Sequence, residues 1–469
     1  MKLILSIIIL NSLFSFSQEN NSFEKLKPEI LLQELIRFQS LSCREKDLAN
    51  YLQTYCKNQG LYTQIFSQNN LNFNFTASLY PLEMGKPNII LQSHLDVVPA
   101  NDAENWKHNP FDGKIVNDTL FGRGAIDCLG LAVMQINAIM DYINLAKTTD
   151  LPYNITFLGV CEEENGGDFG AKYMVENHLK ELNPIVVFGE GGSGLTQLVP
   201  SKPKQEVFGI SVAEKSSLWL KLEVNKKSIG QKINGHSAVP SELYANKRLL
   251  KSLIYLMNQK RDVQFSKISR QMFKDLGKME GGFKGFVIKH INWILFWPFV
   301  KKHFREGEIF NVLVQNTFMI TSMGTINSDA VNQVGSGAYA ILDCRLLPGT
   351  DLKKYMRKVQ FAVGNKVDVS IISQSPNSIA SPTNEFFFKM QKALKEVYPK
   401  SISSPILFPA STDNNYFRQY QIPTYGVIPC IFSREALDGI HGVNENIGLK
   451  ELKKGIETYS KFIEIVLQK

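Results

Sequence analysis

Two histidines, His94 and His441, and a set of carboxylates at the ends of apolar runs are the residues of this 469-residue chain best placed to do chemistry. In Asn88-Ile-Ile-Leu-Gln-Ser-His-Leu-Asp-Val-Val-Pro99 a buried-strand pattern ends in a histidine, with an aspartate two residues on. Residues i and i+2 of an extended chain point the same way, so His94 and Asp96 share a face at the strand's carboxyl end, where open α/β sheets keep their active sites. A histidine there can ligate a metal, and Asp96 is placed to fix its tautomer through the second ring nitrogen. Asp127 lies in a glycine-flanked loop, Gly122 to Gly130, where the backbone can turn sharply and bring a carboxylate close to a ligand. Glu162, Glu163 and Glu164 end another apolar run, and adjacent carboxylates repel unless a cation compensates. Glu190 closes a third run, and His441 sits in Gly439-Ile-His-Gly-Val-Asn-Glu445.

His94, Asp127, Glu164, Glu190 and His441 together make a nitrogen and carboxylate donor set that suits zinc, with cobalt or manganese as substitutes. Five protein ligands exceed one tetrahedral shell, so two ions sharing Asp127 is the simplest arrangement. Two such ions activate a water and polarise the carbonyl it attacks, and a glutamate beside Glu164 must stay free to take the proton. Phosphate binding is the weaker reading of Gly122-x-Gly124, which lacks a third glycine and the Lys-Ser/Thr of a P-loop. Cys128, next to Asp127, has no histidine adjacent in sequence and reads as packing rather than as a nucleophile.

The elements that must position these residues alternate between strand and helix. Phe23 to Gly60 has helical spacing, Tyr62 to Leu79 reads as a strand pair, and Lys114 to Phe121 as a short hairpin. Apolar helix is expected over Leu131–Leu145, strands over Asn154–Cys161 and Pro184–Phe188, and a helix near Ala171–Leu179. This order argues for a mostly parallel sheet. From about Ser216 the order becomes β-α-β-β-α-β, with strands Ser217–Val224, Asn311–Ser322, Gly337–Arg345 and Lys366–Ser373 and helices Glu242–Met257 and Leu352–Val363, which suits a small ferredoxin-like domain. The α/β pattern resumes with helix Glu385–Tyr398, strand Ile422–Ile428 and helix Leu449–Leu467. The fold class is therefore α/β: a mostly parallel sheet domain (18–215 and 376–469) interrupted by a smaller α+β domain (216–375).

Met1-Lys2, an apolar run from Leu3 to Phe14 and small residues to Ser17 read as a signal peptide over 1–17, and the chain is expected to be exported, periplasmic or secreted. The six cysteines show no close pairing, which argues against a thiolate metal site. The net charge is +8, and its basic excess is concentrated in an insertion, 258–305, and the helix before it. Nothing else suggests nucleic acid. Within the insertion, Gly285 to Val300 is apolar but interrupted by Lys289 and Pro298 and too short to span a bilayer. It is expected either to pack as an extra core element, or to lie on anionic lipid or receive an acyl chain through residues 285–305.

With these motifs in place, the chain resembles the zinc metallopeptidases that include aminoacylase, glutamate carboxypeptidase, succinyl-diaminopimelate desuccinylase and carboxypeptidase S. Ser93-His-Leu-Asp-Val-Val-Pro99, Gly122-Arg-Gly-Ala-Ile-Asp-Cys128 and Glu162-Glu-Glu-Asn-Gly-Gly167 are similar to that family's metal motifs. The resemblance implies a catalytic domain with a lid that often dimerises. It makes Glu163 the general base, Glu164 a ligand, and His236, in Gly235-His-Ser-Ala-Val-Pro240, a holder of the oxyanion. It also implies that Asn332 and Arg345 bind the substrate carboxylate. One departure is Gly189-Glu-Gly where carboxypeptidase S-like members carry Asp-Glu-Gly, which leaves Glu190 as the only carboxylate there. The implied activity is two-zinc hydrolysis of the amide bond of N-acyl amino acids or short peptides with a free carboxylate. A two-metal aminopeptidase and a non-catalytic receptor-like module are the alternatives. The first would need an acidic group for the substrate ammonium, and the second is disfavoured because base, ligands and Arg345 are all present.

Overall fold

The computed structural model describes residues 25–225, 236–238, 242–293, 309–328 and 330–468. The expected leader, 1–17, and the end of the apolar stretch of the insertion lie outside them. Among the described residues sixteen strands form three sheets. They are β1 (Tyr62–Phe66), β2 (Asn74–Ser78), β3 (Asn88–His94), β4 (Lys114–Val116), β5 (Thr119–Phe121), β6 (Asn154–Val160), β7 (Pro184–Gly189), β8 (Gly194–Leu195), β9 (Val207–Glu214), β10 (Ser216–Asn225), β11 (Thr317–Ile326), β12 (Gly337–Leu346), β13 (Asp368–Gln374), β14 (Ile402–Phe408), β15 (Thr424–Gly426) and β16 (Asn446–Gly448).

The large sheet runs β1-β2-β6-β3-β7-β15-β9-β14, with β8 added to β9. Its centre is parallel: β3 pairs with β6 and β7, and β7 with β15. β3 and β6 are buried along their whole length, which is why they read as continuous apolar runs rather than alternating ones. Parallel pairing places the carboxyl ends of β6, β3 and β7 side by side, about 4.8 Å apart, and each end leads into one of the acidic motifs. Behind them the helix Leu129–Met140 is buried at every residue and packs against the final helix, Leu449–Leu467.

The segment 216–374 forms its own antiparallel sheet, β11-β12-β10-β13, with helices Ala245–Met257 and Leu352–Val363 on one face. The other face, carrying Ser217, Trp219 and Arg345, looks across a cleft at the large sheet. β9 passes into β10 through a single residue, Lys215, which is fully buried and donates from Nζ to Gln315 O (2.9 Å) and Thr317 Oγ1 (2.8 Å).

Four features differ from the sequence expectation. The helix expected over Phe23–Gly60 is two, Pro28–Arg37 and Lys46–Gln59. They are broken by a turn in which Gln39 and Cys43 have positive φ, Ser40 Oγ donates to Leu95 O and Ser40 O accepts from Val97 N. Strands β9 and β14 are unforeseen. Pro405 argues against a strand, yet β14 is the edge of the sheet, where a missing N–H is tolerated. β11 begins at Thr317 because Ile309–Val312 is a helical turn.

The largest difference is the insertion, expected to belong to the smaller domain. Its helix Lys267–Glu280 packs instead on β14 of the large sheet: Met272, Phe273, Leu276 and Met279 share a buried cluster with Val199 and Val207. Ser404 Oγ donates to Asp275 Oδ2 (3.1 Å) and Ser201 N to Glu280 Oε2 (3.0 Å). The amphipathic helix thereby covers the edge that β14 would otherwise leave open. Phe273 is 3 % exposed and Phe283, on the next helix, 77 %. Phe273→Ala is therefore expected to cost about 3–5 kcal/mol, and Phe283→Ala no more than about 0.5 kcal/mol. Chemical denaturation checks this, and equal effects would contradict the docking.

Candidate metal centre

His94, the last residue of β3, places Nε2 2.8 Å from Asp127 Oδ1 and 3.9 Å from Glu190 Oε1. The other oxygen of the same aspartate, Oδ2, lies 3.1 Å from His441 Nε2, which is itself 3.1 Å from Glu164 Oε1. Asp127 thus turns one oxygen to the His94 and Glu190 side and the other to the His441 and Glu164 side. All five residues of the expected donor set come together, in two groups that share one carboxylate. The Glu163 carboxylate lies with His94 and Glu164 donor atoms within 4.8 Å of one another, but is not part of the Asp127–His441 group.

Glu162 is used elsewhere. Its Oε2 accepts from Phe169 N (3.1 Å), and Oε1 is the partner of Cys43 Sγ and Asn165 Nδ2. Asp96 is fully buried, and its role differs from the one expected. His94 Nδ1 faces the backbone oxygen of Asp96 at 2.9 Å, with the Asp96 carboxylate farther away, at 3.5 Å. That carboxylate accepts instead from Glu163 N (3.0 Å), Glu164 N (3.1 Å) and Ser42 Oγ (2.7 Å). It therefore holds the main chain of the two glutamates, and faces the imidazole only at longer range. Gly189 sits close to Asn414: a Cβ there would meet Asn414 Oδ1 at 2.4 Å, so a side chain at that position requires the Asn414 amide to shift.

The electrostatics fit a bound cation. Burial raises the pKa of Glu163, Glu190 and Asp413 well above the ordinary carboxylate range; His94 opposes the rise and neighbouring carboxylates add to it. His441 is raised to about 10 by its hydrogen bonds to Asp127 and Glu164. Burial would lower His94, but the carboxylates of Asp127 and Asp96 around it oppose this and its pKa is raised. Two imidazoles are the only positive counterweight these carboxylates have at contact distance among the described residues. Nitrogen and carboxylate donors in this number suit divalent ions of the zinc, cobalt or manganese type. Cys128 is buried, its pKa pushed up to about 12 by that burial, and Ser93 Oγ lies 3.2 Å from its sulfur. It packs as a neutral thiol.

Three groups escaped the sequence reading. Asp413, in the loop after β14, is buried beside the glutamates and accepts from Gln92 Nε2 (3.2 Å); no apolar run ends at it. Glu45 accepts from Cys43 N (2.8 Å) and Glu162 N (3.1 Å). Glu445 was visible only as the end of the His441 motif.

The cleft over this centre has a volume of about 1090 Å³. Val98, Ile428, Phe432, Leu437 and Ile440 line it near the metal-type donors, and Ser217, Trp219, Ser373 and Arg345 line it from the smaller sheet. Arg345 is held by Asp343 Oδ2 (2.9 Å). Asn332, expected beside Arg345, is not in the cleft. It lies in the connection between β11 and β12, exposed, with Nδ2 3.0 Å from His236 Nε2. Arg345 is near the opposite end of β12, and eight residues of strand at about 3.3 Å each put roughly 25 Å between the two ends.

Residues 90–465 match the profile of Peptidase family M20/M25/M40. A probable carboxypeptidase S-like 2 from Dictyostelium discoideum is 24% identical over 406 residues, 84% of this chain and 74% of that protein. An N-fatty-acyl-amino acid synthase/hydrolase from Mus musculus is 24% identical over 396 residues, 83% of this chain and 76% of that protein. The crystal structure of an M20 family metallo-carboxypeptidase from Sulfolobus solfataricus superposes with a TM-score of 0.67 at 19% identity, covering 94% of this chain and 99% of that one. A dinuclear metal binding peptidase of the same family from Bacillus subtilis covers 94% of this chain and 97% of that one, with a TM-score of 0.51 at 12% identity.

Glu45 gives a pH test of the centre's surroundings. Burial, and then Asp96, raise its pKa from 4.5 to about 7. The folded chain therefore holds this proton more tightly than the unfolded one. The stability so gained is complete below about pH 4.5 and lost as pH rises through about 7. In the metal-free protein, Glu45→Gln should flatten the fall in stability between pH 5 and 8 and leave the variant more stable than wild type above pH 7. Denaturation midpoints across that range check it; an unchanged slope would contradict it.

Proposed function

The chain belongs to peptidase family M20/M25/M40 and is a metal-dependent hydrolase of that family; from that premise we propose that it is an exported two-zinc enzyme that cleaves the amide bond of N-acyl amino acids or short peptides with a free carboxylate. The observation that carries the reading is the division of the Asp127 carboxylate between two donor groups, with Glu163 left beside them. His94, Glu190 and Asp127 would hold one ion, and His441, Glu164 and Asp127 the other. When bound, the pair supplies Lewis acidity to the scissile carbonyl and lowers the pKa of water. The remaining work belongs to this chain's own residues. Asp96 fixes the backbone of Glu163 and Glu164 so that one carboxylate faces the donors while its neighbour stays free. Burial raises the Glu163 pKa, which suits a group that takes a proton near neutral pH and returns it to the leaving nitrogen. Arg345, in the opposite wall, matches a carboxylate through its planar fork. Export is supported by the leader-like residues 1–17 alone.

The substrate side follows the two walls. Arg345 would hold the free carboxylate, so the amino-acid end lies toward the smaller sheet. The acyl end would then lie on Val98, Ile428, Phe432, Leu437 and Ile440. The described part of the apolar insertion lines none of this cleft, which weakens the expectation that it receives the acyl chain. N-acyl amino acids, named in the mouse relative, suit such a two-ended site.

The test is a panel of N-acyl amino acids and dipeptides as free acids and as amides, with and without chelator. Free acids should be hydrolysed, their amides poorly, and chelation should abolish turnover. Glu163→Gln should keep its metal while kcat falls by about two to four orders of magnitude. Loss of a metal equivalent with activity kept would reverse the roles of Glu163 and Glu164.

His236 and Asn332 support a second part of the reading. They meet each other on the surface, roughly 25 Å along β12 from the Arg345 end, so their expected work on substrate is proposed to be done in a second copy's cleft. In mixed dimers, His236→Ala and Glu163→Gln subunits should then restore part of the activity. Verified heterodimers without any recovery would place the whole site within one chain.

A further inference from the structure

The loop Gly122–Cys128, which carries Asp127, has no ladder of its own between β5 and the helix Leu129–Met140, so its buried N–H groups need partners from elsewhere. One side chain supplies partners for three of them. Glu445 Oε1 accepts from Ile126 N (2.8 Å) and Asp127 N (3.1 Å), and Oε2 from Gly124 N (3.0 Å) and Arg123 Nη1 (2.7 Å). The backbone oxygen of Glu445 accepts from Gly122 N at 2.9 Å. Arg123 closes the frame: its Nη2 donates to Gly442 O (2.8 Å), and its guanidinium stacks 5.2 Å from the Trp106 ring. Glu445 is 0 % and Arg123 2 % exposed.

We infer that Glu445, with Arg123, is the positioning residue that sets the shared carboxylate Asp127 against His441. The inference rests on the two-ion reading above. Neither residue lines the cleft, so neither touches substrate. The pair instead joins two chain segments that each bring one donor. Gly122–Asp127 brings the aspartate, and the turn Gly439–Glu445 brings His441, whose φ of 57° holds it in the left-handed region. A buried ion pair contributes little net stability compared with apolar residues of the same volume, so stability alone does not account for it. What it does is fix where Asp127 Oδ1 and Oδ2 point, 2.8 Å from His94 and 3.1 Å from His441. Because Asp127 is common to both donor groups, loosening this loop should weaken both ions together. Loss of His441 itself should weaken only one.

The experiment is cobalt(II) binding to the metal-stripped full chain by chelator competition, with the cobalt absorption spectrum and the melting temperature of the metal-free form recorded beside it. Glu445→Gln should weaken both equivalents about 10–100-fold, the range for groups that orient ligands, and change the spectrum. Arg123→Met with Glu445→Gln removes the unpaired buried charge, so it should regain the melting temperature lost by the single variant without regaining cobalt affinity. His441→Ala should weaken one equivalent and leave the other. The inference is overturned if affinity returns with the melting temperature in the double variant, or if a folded Glu445→Gln chain binds both ions as tightly as wild type. If the single variant does not fold, the double variant carries the test. An unmutated chain that bound no cobalt would overturn the two-ion reading and this inference with it, and is told apart by appearing without any substitution.

Discussion

Asp127, Glu163, Glu164, Glu190 and Asp413 are crowded onto one half-buried floor of the cleft, and their mutual repulsion is the constraint around which the structure is arranged. Carboxylates do not gather in an apolar interior without compensation. In the chain alone, the compensation at contact distance comes from His94 and His441, whose pKa values are raised by the company they keep. Such a floor is costly for a fold that needs only stability, and useful for one that must attract divalent cations and hold a proton acceptor among them.

Around the floor stands a layer of groups whose work is to aim it. Asp96 holds the backbone of Glu163 and Glu164. Glu445 holds the Asp127 loop. Glu45 ties the turn between the first two helices to Glu162. Each is a buried carboxylate that accepts main-chain N–H groups, so each fixes a loop where no strand or helix ladder does so. The sheet supplies the other half of the precision. Pairing β6, β3 and β7 in parallel sets three donor-bearing ends in one row.

Part of this was legible in the sequence: His94, Glu164 and Glu190 mark the ends of apolar runs, a signal that survives without knowledge of pairing, whereas Asp127 stood out by its glycine-flanked loop and His441 by the Gly439–Glu445 motif. The structure gathers all five. The α/β architecture with an antiparallel second sheet was equally readable from the change of element order at Ser216. The rest depended on tertiary contacts that leave no local trace. Asp413 and Glu445 follow loops, not strands, and only the folded chain shows what they face. β14 was hidden by Pro405, which an edge strand tolerates. The insertion carries a clear amphipathic helix, Lys267–Glu280, but periodicity says only that it has an apolar face, not that the face lies on the large sheet. Asn332 and Arg345 were paired by resemblance, and the length of β12 separates them.

The central claim is that one carboxylate, Asp127, is divided between two metal ions. Anomalous diffraction from crystals of the zinc-loaded protein tests it most directly. The account predicts two peaks about 3.5–4 Å apart, one beside His94 and Glu190 and the other beside His441 and Glu164, each within about 2.2 Å of a different oxygen of Asp127. A single peak at full zinc occupancy, or two peaks of which one is not bound to Asp127, would contradict it.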